Sequence, residues 1–247
     1  MMKFSGRGIL LDIEGTTSSV SFVYDVMFPF VHRELDEYLS ANWESAALNE
    51  VCDLIATDAG YESFVAWCGT ETEVGKRQQL LRAEVLRLMD GEVKATGLKA
   101  LQGLIWRSGF ENGEMRAHIF DDVLPAIQAW NDAGCDVRIF SSGSIAAQQL
   151  FFGHTVVGNI LHLFRGHYDT TTGPKKEAAS YQAIAKNFGL PPAQILFLSD
   201  VPDELEAARA AGLQTGLCKR PGNAKVGAGH GHPEIMSFNQ IELLRGV

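Results

Sequence analysis

Cysteine is scarce and dispersed. Cys52, Cys68, Cys135 and Cys218 form no CxxC pair, so no disulfide-stapled secreted scaffold is encoded and reduced, mostly buried thiols are expected. Basic residues are in deficit: 21 Lys and Arg stand against 30 Asp and Glu, a formal net charge of −9. That balance argues against the broad basic footprint of nucleic-acid binding. It leaves room for an anionic small molecule, which a few well-placed cations can hold. No apolar run approaches a membrane span, and MMKFSGRGILL has no long apolar segment before the first motif, so no signal peptide is expected. The expectation is a monomeric cytoplasmic protein with no membrane and no nucleic-acid partner. Internal repeats and low-complexity tracts are absent too. What is present is a chain 46% hydrophobic and 21% charged, sufficient for a substantial core.

Two textures divide the chain. Residues 20–117 lack short β-branched runs and show helical spacing instead. Phe30, Val31, Leu35, Tyr38 and Leu39 share one face, as do Val51, Leu54 and Ile55. Leu80, Leu81, Val85 and Leu88 repeat the pattern, and Leu98, Leu101, Leu104 and Ile105 follow. From residue 120 onward helix and strand alternate. Val123, Ile127 and Trp130 precede Gly134 and the strand-like CDVRIF; Tyr181, Ile184, Ala185 and Phe188 precede Gly189 and ILFL; a helix opened by Pro202 stops near Gly212 before LQTGL. ILLDI supplies a further strand at the start. The spacing predicts an α/β fold: a Rossmann-like parallel sheet core, residues 1–19 and 118–247, with an all-helical cap, 20–117, inserted after the first strand. The glycine-rich GNAKVGAGHGHP (222–233) is the candidate for a mobile loop.

Ligands of open parallel sheets bind beyond the carboxyl ends of the strands. Polar residues just past each expected strand are Asp12 and Glu14 after ILL, Ser141 and Ser142 after VRIF, and Asp200 after ILFLS, with Asp203 and Glu204 beyond. TTTGPKKE adds Lys175 and Lys176 at the start of a helix. Carboxylates, hydroxyls and a lysine suit Mg²⁺-assisted phosphoryl transfer. Carboxylates bind a hard cation that takes few protein ligands, and a carboxylate can attack phosphorus. A lysine adds positive charge, and hydroxyl and N–H groups hold phosphate oxygens. A second acid protonates the leaving group and activates water. Competing roles are a strand-end turn for Asp12 and Glu14, and helix N-caps for Ser141, Ser142 and Asp200. Between the two lysines, Lys175 is favoured by its offset after Gly173-Pro174. His230 and His232 form an HxH pair that lacks a third ligand nearby, and solvated loop histidines are expected.

DIEGT (12–16) resembles the first motif of haloacid-dehalogenase-type phosphatases, usually DxDGT; FSSGS (140–144) resembles the second, Lys175 the third and FLSDVPDE (197–204) the fourth. Glu14 replaces the usual aspartate. LKALQGLIWRSGFENGEM, HIFDDV, IFSSGSIAAQQLFFGH and KRPGNA make nearly the whole chain similar to the enolase-phosphatases of methionine salvage. The resemblance implies a bound Mg²⁺ and a phosphorylated diketone substrate, 2,3-diketo-5-methylthiopentyl 1-phosphate, enolised and then dephosphorylated to an acireductone. It implies Asp12 as nucleophile and metal ligand, and Glu14 as acid/base and metal ligand through its main-chain oxygen. It further implies Ser141 and Ser142 on phosphate, Lys175 as catalytic and substrate-binding charge, and Asp200 on the metal. Glu204 sits where many members carry another acid. The rival within the superfamily is a general sugar-phosphate or phosphoglycolate-type phosphatase.

Overall fold

The computed structural model describes residues 1–244. The chain forms two compact units, one of Met1–Val23 joined by the chain from Arg116 onward, the other Tyr24–Met115.

The first unit begins with strands β1 (Met2–Phe4) and β2 (Gly8–Leu11). Every residue of β2 is buried, as a strand covered on both faces requires. The second unit is wholly helical in its regular structure: α1 (Phe28–Asn42), α2 (Ala46–Asp58), α3 (Phe64–Cys68), α4 (Val74–Asp90) and α5 (Thr96–Glu111). Its core follows the expected faces with one exception. Leu54 is exposed, and Cys52 is buried instead, because α2 turns the Val51–Cys52–Ile55 edge inward. Helices α2 and α5 approach closely at Gly97, where an added Cβ would stand 2.5 Å from Ile55 N. The Gly97 N–H, an orphan donor of the α5 first turn, is satisfied by Asp58 Oδ2 at 2.7 Å. At the other end of the unit Trp106 Nε1 donates to Met27 O at 2.8 Å.

The first unit resumes with α6 (Val123–Asp132), β3 (Asp136–Phe140), α7 (Ile145–Gly153), β4 (Gly166–Tyr168), α8 (Ala178–Phe188), β5 (Ile195–Ser199), α9 (Pro202–Ala210), β6 (Gln214–Cys218), β7 (Glu234–Ile235) and β8 (Ile241–Leu243). Six strands make a parallel sheet in the order β4-β3-β2-β5-β6-β7, and β1 pairs with β8 separately. Tyr181, Ile184 and Phe188 of α8 and Leu205 and Ala208 of α9 pack with Leu10, Phe140 and Phe197 in one apolar cluster. The edge strand β4 has no counterpart in the sequence expectations. It is three residues long and is tied down by Arg138, whose Nη1 donates to the Tyr168 hydroxyl at 2.6 Å while its guanidinium lies over Phe188.

The order of the strands places the site. From β2 the chain moves outward one way through β3 to β4, then returns to the other side of β2 as β5. The reversal falls between β2 and β5, where the diverging connections leave a crevice beyond the carboxyl ends. Leu11 is level with Ile139 and with Leu198. The residues that follow each strand therefore leave the sheet along one edge.

Candidate active site

Asp12 is the first residue past β2 and is buried, 2% exposed. Its backbone N–H still donates to Leu198 O at 3.0 Å, which fixes where the side chain starts. Oδ1 accepts from Ile13 N at 2.8 Å and meets Lys175 Nζ at 2.7 Å. Oδ2 stands 3.3 Å from Ser199 Oγ, whose single proton is shared between Asp12 and Glu204. Lys175 also reaches Glu204 Oε2 at 2.8 Å, and Ser199 Oγ donates to the same oxygen at 3.0 Å. One ammonium thus bridges two buried carboxylates, with a hydroxyl closing the circuit between them.

Local structure holds Lys175 in place. It lies on the turn before α8 and not within the helix, which begins at Ala178. The first turns of α8 reach back to that turn: Tyr181 Oη donates to Lys175 O at 2.6 Å and Ser180 Oγ to Pro174 O at 2.7 Å. Lys176 points away, exposed, and pairs with exposed Asp203. Of the two lysines, Lys175 is the one brought to Asp12 and Glu204.

The serines and Asp200 are not helix caps. Ser144 is the N-cap of α7, its hydroxyl accepting from Ala147 N, and the residue before α9 is Val201. Ser141 is buried, and its Oγ accepts from Gly143 N at 3.2 Å; Ser142 is partly exposed. Both sit one strand away from Asp12 at the same sheet edge. Among the described residues no hydrogen bond joins either serine to the carboxylates. Asp200 follows β5 and lies against Gly15, whose φ is +66°. A Cβ on Gly15 would meet Asp200 Oδ2 at 2.3 Å. Gly15→Ala is expected to cost about 1–2 kcal/mol through the left-handed backbone alone. It should also displace Asp200, lowering turnover further than stability. Denaturant melts beside a phosphatase assay check both.

The site holds more negative than positive charge. Burial, and then the Asp12 charge, push Glu14 up to about 7 although part of the residue stays exposed. The same two causes push Glu204 to about 7 and Asp200 to about 6. Burial on its own would pull the Lys175 ammonium down; the Asp12 and Glu204 carboxylates outweigh it and drive the group up. Four acids facing one ammonium form a donor set that suits a hard divalent cation. Among the described residues no group of three or more His, Cys, Asp or Glu side chains is placed to hold a metal. A cation here would draw on two carboxylates, a carbonyl and water, in the manner of Mg²⁺.

The raised carboxylates set a pH dependence for the metal-free protein. Each binds its proton more tightly when folded, so the contribution is full below the ordinary carboxylate range and is lost as pH rises through about 6 to 7. In chelator, the melting temperature should therefore rise from pH 8 to pH 6. Because the Asp12 charge contributes to all three shifts, Asp12→Asn should flatten that slope; an unchanged slope would remove this account.

Four residues that touch the candidate site residues or the loop after β2 were not assigned those contacts from the sequence. Ser199 closes the Asp12–Glu204 circuit; its signal was a hydroxyl ending the otherwise apolar ILFLS. Glu204 was placed as an acid but not as the Lys175 partner. Arg220 lies buried between Phe120 and Phe238, with Nε donating to Thr16 O at 3.0 Å and Nη1 to Asp122 Oδ1 at 2.9 Å. Asn223 Nδ2 donates to Gly15 O at 2.9 Å. The last two lie in KRPGNA. The expectation of two solvated histidines is corrected: His232 is buried, stacks on His230, and contacts Thr215 Oγ1 through Nδ1 at 2.8 Å. Thr215 lies on β6, which draws that ring off the surface. The four cysteines are all free.

A parallel sheet whose switch point carries a buried carboxylate–ammonium pair flanked by further acids has the make-up of a phosphoryl-transfer hydrolase. The haloacid dehalogenase-like hydrolase family model matches residues 7–212. Enolase-phosphatase E1 of Drosophila mojavensis is 40% identical over 244 residues, 98% of this chain and 97% of that protein. The protein of the same name from Synechococcus elongatus is 44% identical over 236 residues, 94% and 96% respectively. Among solved structures, the UTR4 protein of Saccharomyces cerevisiae superposes with a TM-score of 0.78 at 30% identity, covering 96% of this chain and 100% of that one. The chain belongs to the haloacid dehalogenase-like hydrolases and, within them, to the enolase-phosphatases.

Proposed function

We propose that the protein is a Mg²⁺-dependent enolase-phosphatase of methionine salvage. It converts 2,3-diketo-5-methylthiopentyl 1-phosphate to the acireductone 1,2-dihydroxy-3-keto-5-methylthiopentene and phosphate. The observation that carries the phosphatase half is the Lys175 ammonium shared by Asp12 and Glu204 at the switch point. The substrate follows from family membership at 40–44% identity.

Asp12 and Asp200, with the Glu14 main-chain oxygen, would hold Mg²⁺. When bound, the ion supplies positive charge against the phosphate and polarises a substrate oxygen for enolisation. Asp12 attacks phosphorus as the bond to the leaving oxygen breaks, and the leaving oxygen takes its proton from Glu14. Burial raises this carboxyl above the ordinary carboxylate range in the metal-free protein, the direction that a general acid needs. Water then attacks the phospho-aspartate, giving its proton to Glu14, and phosphate departs with Asp12 restored. Lys175 balances the nucleophile's charge and the phosphate's, while Ser141 and Ser142 hold phosphate oxygens from the end of β3. Ile13 N and Lys175 hold one oxygen of Asp12 in a fixed orientation.

No helix among the described residues is long and apolar enough to cross a membrane. A cytoplasmic monomer acting on a small molecule belongs to the same proposal, and the net charge of −9 runs against a nucleic-acid partner. The test is turnover of the diketone phosphate with Mg²⁺, following enol absorbance and released phosphate together. Both signals should appear, and sugar phosphates and phosphoglycolate should be hydrolysed far more slowly. Comparable hydrolysis of those esters with no enol absorbance would replace the assignment with a general phosphatase.

A further inference from the structure

Asn223 follows β6 in the KRPGNA segment. Its Nδ2 donates both to Gly15 O at 2.9 Å and to Cys218 O at 3.0 Å. These carbonyls fix the amide: turned over, Oδ1 would face two acceptor oxygens. Oδ1 is thereby held to the other side, where it is shielded from solvent and no donor among the described residues reaches it. Asp200 Oδ2 occupies the same side. A side-chain carbon on Gly15 would stand 2.3 Å from Asp200 Oδ2 and 2.9 Å from Asn223 Oδ1. Two acceptor oxygens thus gather beside Gly15, and neither can satisfy the other. A buried amide oxygen without a donor is costly, so its retention here points to a donor that arrives with a ligand. A hydrated cation meets both needs: the carboxylate binds the metal, and the amide oxygen accepts from a water on it.

We propose that Asn223 is a positioning residue of the divalent-cation site. Its Oδ1 accepts from a water of the bound ion, while its Nδ2 holds the Gly15 carbonyl, one residue beyond Glu14. The inference rests on the Mg²⁺ reading above and adds to it a residue from the far end of the chain, 208 positions from Gly15. It also explains why the segment after β6 returns to the β2 loop: the same amide that anchors the loop completes the hydration of the metal.

Mn²⁺ binding, read from the electron-paramagnetic-resonance signal of the free ion, tests this without turnover. Wild-type protein, Asn223→Ala and Asn223→Asp are titrated with Mn²⁺ alone. Asn223→Ala should bind about tenfold or more weakly, the usual effect of losing an outer partner. Asn223→Asp keeps an acceptor oxygen but sets its other oxygen against the Gly15 and Cys218 carbonyls, so it should recover only part of the affinity that the alanine variant loses. Asn223→Ser, whose hydroxyl is too short to reach, serves if the alanine variant does not fold. Affinity of the alanine or serine variant within about twofold of wild type overturns the proposal. So does an aspartate variant as weak as the alanine one, since anchoring through Nδ2 would then account for the whole effect. Absence of Mn²⁺ binding by the wild type takes down the metal reading itself, and this proposal with it.

Discussion

Asp12→Asn should reduce phosphate release by about four to six orders of magnitude, the scale of deleting a nucleophile, while the protein stays folded. The amide keeps the shape of the carboxylate but cannot form the phospho-enzyme, so no labelled phosphate should be trapped on the variant. The effect on stability is the difference of two opposed changes. The 2.7 Å contact of Lys175 with Asp12 is weakened, and breaking a buried pair is ordinarily costly. Against that, Lys175 keeps Glu204 at 2.8 Å. The charge that pushes Glu14, Asp200 and Glu204 up also disappears. The net change should stay within about 2 kcal/mol, inside the ordinary range for single substitutions. A folded variant that releases phosphate at the wild-type rate would remove Asp12 as nucleophile.

The central strands and the acids at their ends were legible because burial on both faces writes an unbroken apolar run. GILL, VRIF and ILFL each stop at a polar residue, and in a parallel sheet that position is the ligand edge. The helical unit was legible through its apolar spacing, except where Leu54 and Cys52 compete for one face. The edge strand β4 was not, since its residues are chosen by neighbours: Tyr168 by Arg138, and Gly166 by close approach of the Arg138 stem, 3.0 Å from an added Cβ. The Lys175–Glu204 pair, Arg220 on Thr16 O and Asn223 on Gly15 O are contacts between distant parts of the chain. Periodicity carries no trace of such pairings. The sequence offered each residue type but not its partner, and the partner decides whether a lysine is a solvated charge or the centre of a site.

Lys175→Met is the sharpest test of that last distinction. The substitution keeps most of the side chain's volume and removes its charge, leaving Asp12 and Glu204 buried without their cation. Such a loss costs about 3–5 kcal/mol, or roughly 10 °C of melting temperature for a protein of this size. Glu204 can relieve part of it by taking a proton, because Ser199 Oγ is able to turn and accept. The deficit should therefore be largest at pH 8 and shrink towards pH 6. Turnover should fall by at least about 10²–10³-fold, as for other groups that neutralise developing charge. Lys176→Met is the internal comparison. That residue is exposed and its Asp203 partner equally so; exposed pairs contribute little, and the melting curve should overlay that of the wild type. If the Lys176 variant lost activity and the Lys175 variant did not, the charge serving the phosphate would lie on the outer lysine. The ammonium between Asp12 and Glu204 would then be a structural ion pair, held in place by Tyr181 and Ser180 for the sake of the fold.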